Sequence, residues 1–141
     1  FDVNGTYRDL VEGHGWDYVG LDICPGPNVN FVVPERGKWA ISQQADLVIS
    51  GQCIEHTSRP WEWILNVAGL MAPGGLLFLI APSSWPQHRY PIDCWRFLPD
   101  GIRSLAELAS STVREVDLAP CLELGPGYED CYAVLQKGGG K

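Results

Sequence analysis

Three short apolar runs, each closed by its own polar loop, leave this chain few folds to choose from. The first is Tyr18-Val19-Gly20-Leu21-Asp22. The second, Ala45-Asp46-Leu47-Val48-Ile49-Ser50, runs into Gly51-Gln52-Cys53-Ile54-Glu55-His56. The third, Leu76-Leu77-Phe78-Leu79-Ile80-Ala81, is introduced by Ala72-Pro73-Gly74-Gly75. Runs this short, with helical stretches between them, read as parallel strands of a βαβ sheet covered on both faces. Ligands of such sheets sit beyond the carboxyl ends of the strands. Asp22 and the loop from Ser50 to His56 therefore stand where a site is expected.

The remaining segments complete an α/β pattern. Thr6 is placed to cap a helix over Tyr7 to Glu12, which Gly13 and Gly15 stop. Trp16 to Ile23 reads as the first full strand. The turn formers Pro25-Gly26-Pro27-Asn28 then lead to a short edge strand, Val29 to Val33. Residues 34–44 look irregular. Ser58-Arg59-Pro60 opens a helix from Trp61 to Met71, whose Trp61, Ile64, Leu65, Ala68 and Met71 fall on one face. A long loop, Pro82 to Leu98, carries Trp85, Tyr90 and Trp95. Pro99 starts a helix through Ala109. Val113 to Leu118 and Cys131 to Gln136 form a closing antiparallel pair, joined through Pro120 to Gly127.

Composition narrows the function classes. A length of 141 residues and 45% apolar content suit one globular domain, residues 1–137, followed by a glycine-rich tail at 138–141. A net charge of -7 without a basic block argues against nucleic acid as a partner. No apolar run reaches the roughly 18 to 20 residues that span a bilayer, so no membrane association and a cytoplasmic location are expected. The five cysteines are odd in number and form no C-x-x-C, and His14, His56 and His88 do not cluster with them. No metal site is expected, and reduced thiols are, although Cys121 and Cys131 are placed to meet across the hairpin.

In this order and spacing the segments resemble the class I S-adenosylmethionine-dependent methyltransferases, specifically the methyltransferase type 11-like group. The resemblance rests on Val19-Gly20-Leu21-Asp22, on Asp46-Leu47-Val48-Ile49-Ser50 with Glu55-His56, and on Pro73-Gly74-Gly75 before a hydrophobic strand. Tyr90-Pro91-Ile92-Asp93-Cys94-Trp95-Arg96-Phe97 adds to it. It implies a Rossmann-like methyltransferase fold, mostly parallel, with an antiparallel C-terminal hairpin. It also implies S-adenosylmethionine as cofactor and a small-molecule or sugar-like methyl acceptor.

The resemblance assigns roles to particular residues. Asp22 would accept hydrogen bonds from the cofactor ribose, for which a carboxylate's two oxygens are suited, or is an ordinary turn or capping aspartate. Gly5, Ser50, Gly51 and Gln52 would hold the methionine end. His56 is either a general base toward the acceptor or a structural histidine tied to Glu55 or to its loop. Trp85, Tyr90 and Trp95 would either line the acceptor pocket or serve as packing within the loop. Asp93 and Arg96 would either form an ion pair that shapes the loop or grip an anionic acceptor.

One departure stands out. The family's first strand and most of its glycine-rich motif have no counterpart, since Phe1-Asp2-Val3-Asn4-Gly5 resembles only the second half of that loop. The chain is thus expected to be an N-terminally truncated version of the fold. Three arrangements would answer a central gap: residues upstream of Phe1, direct pairing of the Leu21 strand with the Val48 strand, or a homodimer whose second copy covers the opening. An inactive methyltransferase-like domain serving as a structural or interaction module is the alternative function. A nicotinamide-dependent oxidoreductase is a more distant one, since a strand-end aspartate also suits its ribose.

Overall fold

The computed structural model describes residues 6–139 except Glu123. Gly5, assigned above to the cofactor loop, lies outside the described residues, as do Gly140 and Lys141 of the tail. The chain divides into two compact units, Phe1–Ala40 and Ile41–Lys141. Among the described residues the strands form two ladders, one of two strands and one of four.

The smaller unit holds helix α1 (Tyr7–Gly13) and strands β1 (Leu21–Asp22) and β2 (Phe31–Val32). Thr6 caps α1 as expected, its hydroxyl accepting the Arg8 N–H at 3.1 Å. The strand expected over Trp16 to Ile23 is only two residues long. A ladder exists only where a partner satisfies the backbone, and β2 supplies parallel partners to Leu21 and Asp22 alone. Gly20 precedes this pair for a steric reason: any Cβ there would collide with the Asn28 carbonyl oxygen. Its N–H donates to Asn30 Oδ1 at 2.9 Å and its carbonyl accepts the Asn30 and Phe31 N–H groups. This lacing turns the chain through Pro25–Asn28 and leaves Asp22 as the last residue of β1.

In the larger unit, β3 (Ala45–Gly51) pairs parallel with β4 (Met71–Ser84), β4 antiparallel with β6 (Glu129–Lys137), and β6 antiparallel with β5 (Ser111–Pro120). The spatial order is β3-β4-β6-β5. The C-terminal hairpin is antiparallel, as the sequence implies. Strand β4 is longer than the apolar run predicted, because Met71 already pairs with Ala45 before the ladder slips and resumes at Leu47 opposite Leu76. Pro73-Gly74-Gly75 forms that slip. Gly74 has φ +79°, and a Cβ on Gly75 would press on the carbonyl oxygens of Ala72 and Ala45 at about 3 Å.

The core follows the pleat. Leu77, Leu79 and Ala81 of β4 lie opposite Leu135, Ala133 and Cys131 of β6, and all six are buried. Helix α3 (Pro99–Leu108) contributes buried Ile102 and Ala106 and packs on β5, β6 and helix α2 (Pro60–Leu70). The buried face of α2 is rotated from the predicted stripe. Trp63, Ile64, Val67, Ala68 and Leu70 are inside, whereas Trp61 and Leu65 are exposed. Trp61 instead meets the edge of Trp95, with ring centroids 6.2 Å apart. No disulfide joins any of the five cysteines: Cys131 is buried in β6 and Cys121 lies at the start of the hairpin loop. Among the described residues no helix is long and apolar enough to cross a membrane.

Candidate functional site

Past the carboxyl end of β3 the chain turns sharply. Gln52 takes a left-handed conformation at φ 50°, and its N–H still reaches the Ile80 carbonyl of β4 at 2.9 Å. The expected cofactor residues Ser50 and Gly51 are thus the last residues of β3 itself, and Gln52 is the first of the loop. A short 3-10 turn follows, Ile54–His56, in which Ile54 and Glu55 are fully buried.

The loop from Trp85 to Leu98 is laid over this turn by a series of long-range hydrogen bonds. The Cys94 N–H donates to the Glu55 carbonyl at 2.9 Å, Trp95 Nε1 to the Thr57 carbonyl at 2.9 Å, and the Phe97 N–H to the Pro82 carbonyl at 2.8 Å. Trp85 Nε1 donates to Asp130 Oδ1 of β6 at 2.8 Å, and Gln52 Nε2 reaches the same oxygen at 2.9 Å. Trp95, expected to line an acceptor pocket, therefore spends its polar edge on Thr57 and its ring on Trp61.

Inside the loop, Asp93 and Arg96 form a bidentate pair, Nη1 to Oδ1 at 2.6 Å and Nη2 to Oδ2 at 2.9 Å. Arg96 also donates from Nε to the Trp85 carbonyl, from Nη1 to the Trp95 carbonyl and from Nη2 to the Pro86 carbonyl. A guanidinium has five N–H donors, and these bonds use all of them. Asp93 Oδ2 additionally accepts the His88 backbone N–H at 2.7 Å. The guanidinium beside Asp93 holds its carboxyl well below the usual carboxylate range, and the same pairing strengthens the hold of Arg96 on its proton.

The docked loop brings His88 to Glu55 and His56. His56 Nδ1 lies 2.6 Å from the Ile92 carbonyl oxygen, and His88 Nδ1 lies 3.2 Å from that of Pro86. A carbonyl only accepts, so both Nδ1 atoms carry hydrogens and Nε2 is the nitrogen each ring presents on its other side. Those two atoms face Glu55 Oε1, at 3.4 Å from His56 and 3.8 Å from His88. Neither carboxylate oxygen of Glu55 has a hydrogen-bond partner among the described residues. Burial pushes its carboxyl up to about 7, although its own backbone N–H and the more distant Arg96 pull the other way.

The rings form a connected wall. Trp85 is 5.4 Å from His88, His88 is 4.9 Å from His56, and His56 is 6.2 Å from the ring of Tyr90, which is largely exposed. Sequence reasoning singled out His56 and Tyr90 but missed Glu55 as a site residue in its own right and missed His88. A buried glutamate directly before a histidine was the available signal for the first. Nothing local marks His88, which lies 32 positions on from His56.

In the smaller unit Asp22 is half-buried at the end of β1, and its Oδ1 accepts the Cys24 N–H at 2.9 Å. A carboxylate at the carboxyl end of a parallel strand is chemically suited to a ribose diol.

The sequence profile described as "Methyltransferase domain" matches residues 4–109, most of the chain. The chain belongs to the methyltransferase family. It is a class I S-adenosylmethionine-dependent member, and S-adenosylmethionine is the cofactor of that family. Among curated proteins none matches this methyltransferase domain in sequence. Among solved structures it is similar to the Burkholderia thailandensis 1,6-didemethyltoxoflavin-N1-methyltransferase with bound 1,6-didemethyltoxoflavin and S-adenosylhomocysteine. That likeness has a TM-score of 0.73 at 13% identity, covering 95% of this chain and 67% of the other. An S-adenosylmethionine-dependent methyltransferase from Mesorhizobium loti gives 0.67 at 12% identity, covering 93% and 85%. The cyclase SpnF gives 0.61 at 12% identity, covering 94% of this chain and 61% of that one. At these identities the likeness is one of fold, and a cyclase among the neighbours illustrates that the fold carries more than one chemistry.

Proposed function

We propose that this domain transfers the methyl group of S-adenosylmethionine to a small-molecule or sugar-like acceptor. The single observation that carries the reading is the wall of His56, His88 and Tyr90 beside buried Glu55, just past the carboxyl end of β3. The neighbour from Burkholderia, which holds a small heterocycle and the demethylated cofactor, supports a small acceptor. The cofactor would supply an activated sulfonium methyl. Asp22 would hold the ribose, and Ser50, Gly51 and Gln52 the methionine end, with Gly5 as a further contact. His56 and Tyr90 would face the acceptor. His56 carries its hydrogen on Nδ1, so its Nε2 can take the acceptor's proton.

In this reading Asp93, Arg96 and Trp95 act by position. Their hydrogen bonds are directed into the protein, and they hold His88 and Tyr90 in place over the 3-10 turn. The domain would work mainly by alignment of methyl and acceptor and by exclusion of water.

Isothermal titration of the 141-residue chain with S-adenosylhomocysteine tests the reading. One saturable site is expected, weakened at least about tenfold by Asp22→Ala, since charge-assisted hydrogen bonds are worth about 1.5–3 kcal/mol. Unchanged affinity in that variant would remove Asp22 from the pocket. A second reading is an inactive module that binds a partner or a second copy of the chain. A folded sample that binds no cofactor would favour it.

A further inference from the structure

The side chains of Glu55, His56 and His88 converge in this domain. Glu55 is fully buried, neither of its oxygens has a hydrogen-bond partner from another residue among those described, and His56 Nε2 and His88 Nε2 lie 3.4 and 3.8 Å from its Oε1. Hydrogen bonds to the Ile92 and Pro86 carbonyls set those rings, so that each presents its Nε2 to the carboxylate. A carboxylate oxygen and two imidazole nitrogens converging on one point are the donor set of a cation site.

We propose that Glu55, His56 and His88 together bind one divalent transition-metal cation of the zinc class, through one carboxylate oxygen and two Nε2 atoms. One ligand atom from each of the three lies within 4.8 Å of the others. Bonds of about 2.0–2.1 Å at tetrahedral angles place neighbouring ligand atoms about 3.4 Å apart. The separations from Glu55 Oε1, 3.4 and 3.8 Å, need to contract by a few tenths of an ångström at most. Two imidazoles with one carboxylate select zinc, iron, cobalt or nickel over magnesium or calcium, which prefer an all-oxygen shell.

The surroundings match those of a metal centre. A ligating imidazole commonly donates its other N–H to a backbone carbonyl or a carboxylate. His56 donates to the Ile92 carbonyl, and His88 Nδ1 lies between the Pro86 carbonyl and Asp93 Oδ2, which is 3.6 Å away. Arg96, whose charge is felt at Glu55, is neutralised by its bidentate bond to Asp93. The side chains of His56 and His88 keep 14% and 24% of their surface exposed, so the centre can be reached from solvent and can take a further ligand.

The proposal goes beyond methyl transfer and stands without it. It alters one role: a ring nitrogen bound to a cation cannot also take a proton, so the cation would acidify an acceptor hydroxyl in place of His56.

The test is titration of the chelator-stripped chain with cobalt(II), followed by visible absorption and calorimetry. One equivalent is expected, with the ligand-field bands of a nitrogen and oxygen shell and no intense sulfur-to-cobalt band. Glu55→Gln, which keeps size and shape, and His88→Ala, in a partly exposed loop residue, should each weaken binding by about a hundredfold or more. Zinc should raise the melting temperature of the native chain and leave that of His88→Ala unmoved. Absence of binding, affinity unchanged in either variant, or a spectrum dominated by cysteine thiolates would overturn the assignment. S-adenosylhomocysteine affinity, measured on the same samples, separates failure at this centre from failure of the cofactor pocket.

Discussion

Two carboxylates lie close together in this domain and meet opposite fates. Asp93 is 2% exposed at its side chain, and Arg96 and the His88 backbone answer its charge. Glu55 is 0% exposed, and among the described residues no hydrogen bond from another residue answers it. The first carboxyl is driven far down in pKa and the second up to about 7. Burial by itself therefore does not decide the state of an acidic group here. What decides it is whether a donor has been folded in with it. The paired carboxylate shapes the loop. The unpaired one is left able to hold a proton or a cation.

The pH dependence of stability reads that contrast most directly. Because the Glu55 carboxyl rises from 4.5 to about 7 on folding, its stabilising contribution is complete below pH 4.5 and is lost as pH climbs through 7. At about 1.4 kcal/mol per pH unit, unfolding free energy should fall by about 3 kcal/mol across that window in the presence of chelator. Glu55→Gln should flatten the slope, and an equally steep fall in that variant would disprove the assignment. Asp93 has the opposite sign. Its lowered pKa gives stability above its ordinary value near 3.8, lost only on stronger acidification.

A somewhat smaller effect is expected from removing the answering cation. Arg96→Met should cost about 2–3 kcal/mol in urea unfolding at neutral pH, because it leaves Asp93 covered and unpaired and orphans the carbonyls of Trp85, Pro86 and Trp95. The same variant should raise the pH at which acid begins to destabilise the protein. If it unfolds no more readily than the native chain, Asp93 is better solvated than its geometry indicates. The smallest effect belongs to a pair that resembles this one in chemistry but lies in water. Arg59 and Glu62 are 2.7 Å apart, with side chains 46% and 31% exposed. Glu62→Gln should change stability by less than about 0.5 kcal/mol. A loss comparable to that of Arg96→Met would mean that pairing matters here irrespective of burial.

How far the sequence led differs from element to element. Helices α2 and α3 begin at Pro60 and Pro99, each within a residue of its predicted start, since proline at the first turn is a local signal. The closing antiparallel hairpin was equally legible, whereas Pro73-Gly74-Gly75 lies inside β4 as a slip in the ladder. The extent of β1 was not, because an apolar run becomes a strand only opposite a partner. Nor was the buried face of α2, where Trp61 and Leu65 exchange places with Trp63 and Val67 according to what packs above them. At the site, Glu55 and His56 could be singled out as neighbours in sequence, whereas the convergence of His88 on them could not.

By itself the amino-acid sequence determined the order of strands and helices, the family, and the position of an acidic residue at the end of β1. Those properties depend on side-chain periodicity, turn chemistry and short motifs, which are local. Only the tertiary structure decided that Arg96 is committed to Asp93 and to three loop carbonyls, and that Glu55 and two histidines face one another. Both outcomes depend on where a long loop comes to rest. That is set by hydrogen bonds from Trp85, Cys94, Trp95 and Phe97 to residues between 15 and 45 positions away, beyond the reach of any local pattern.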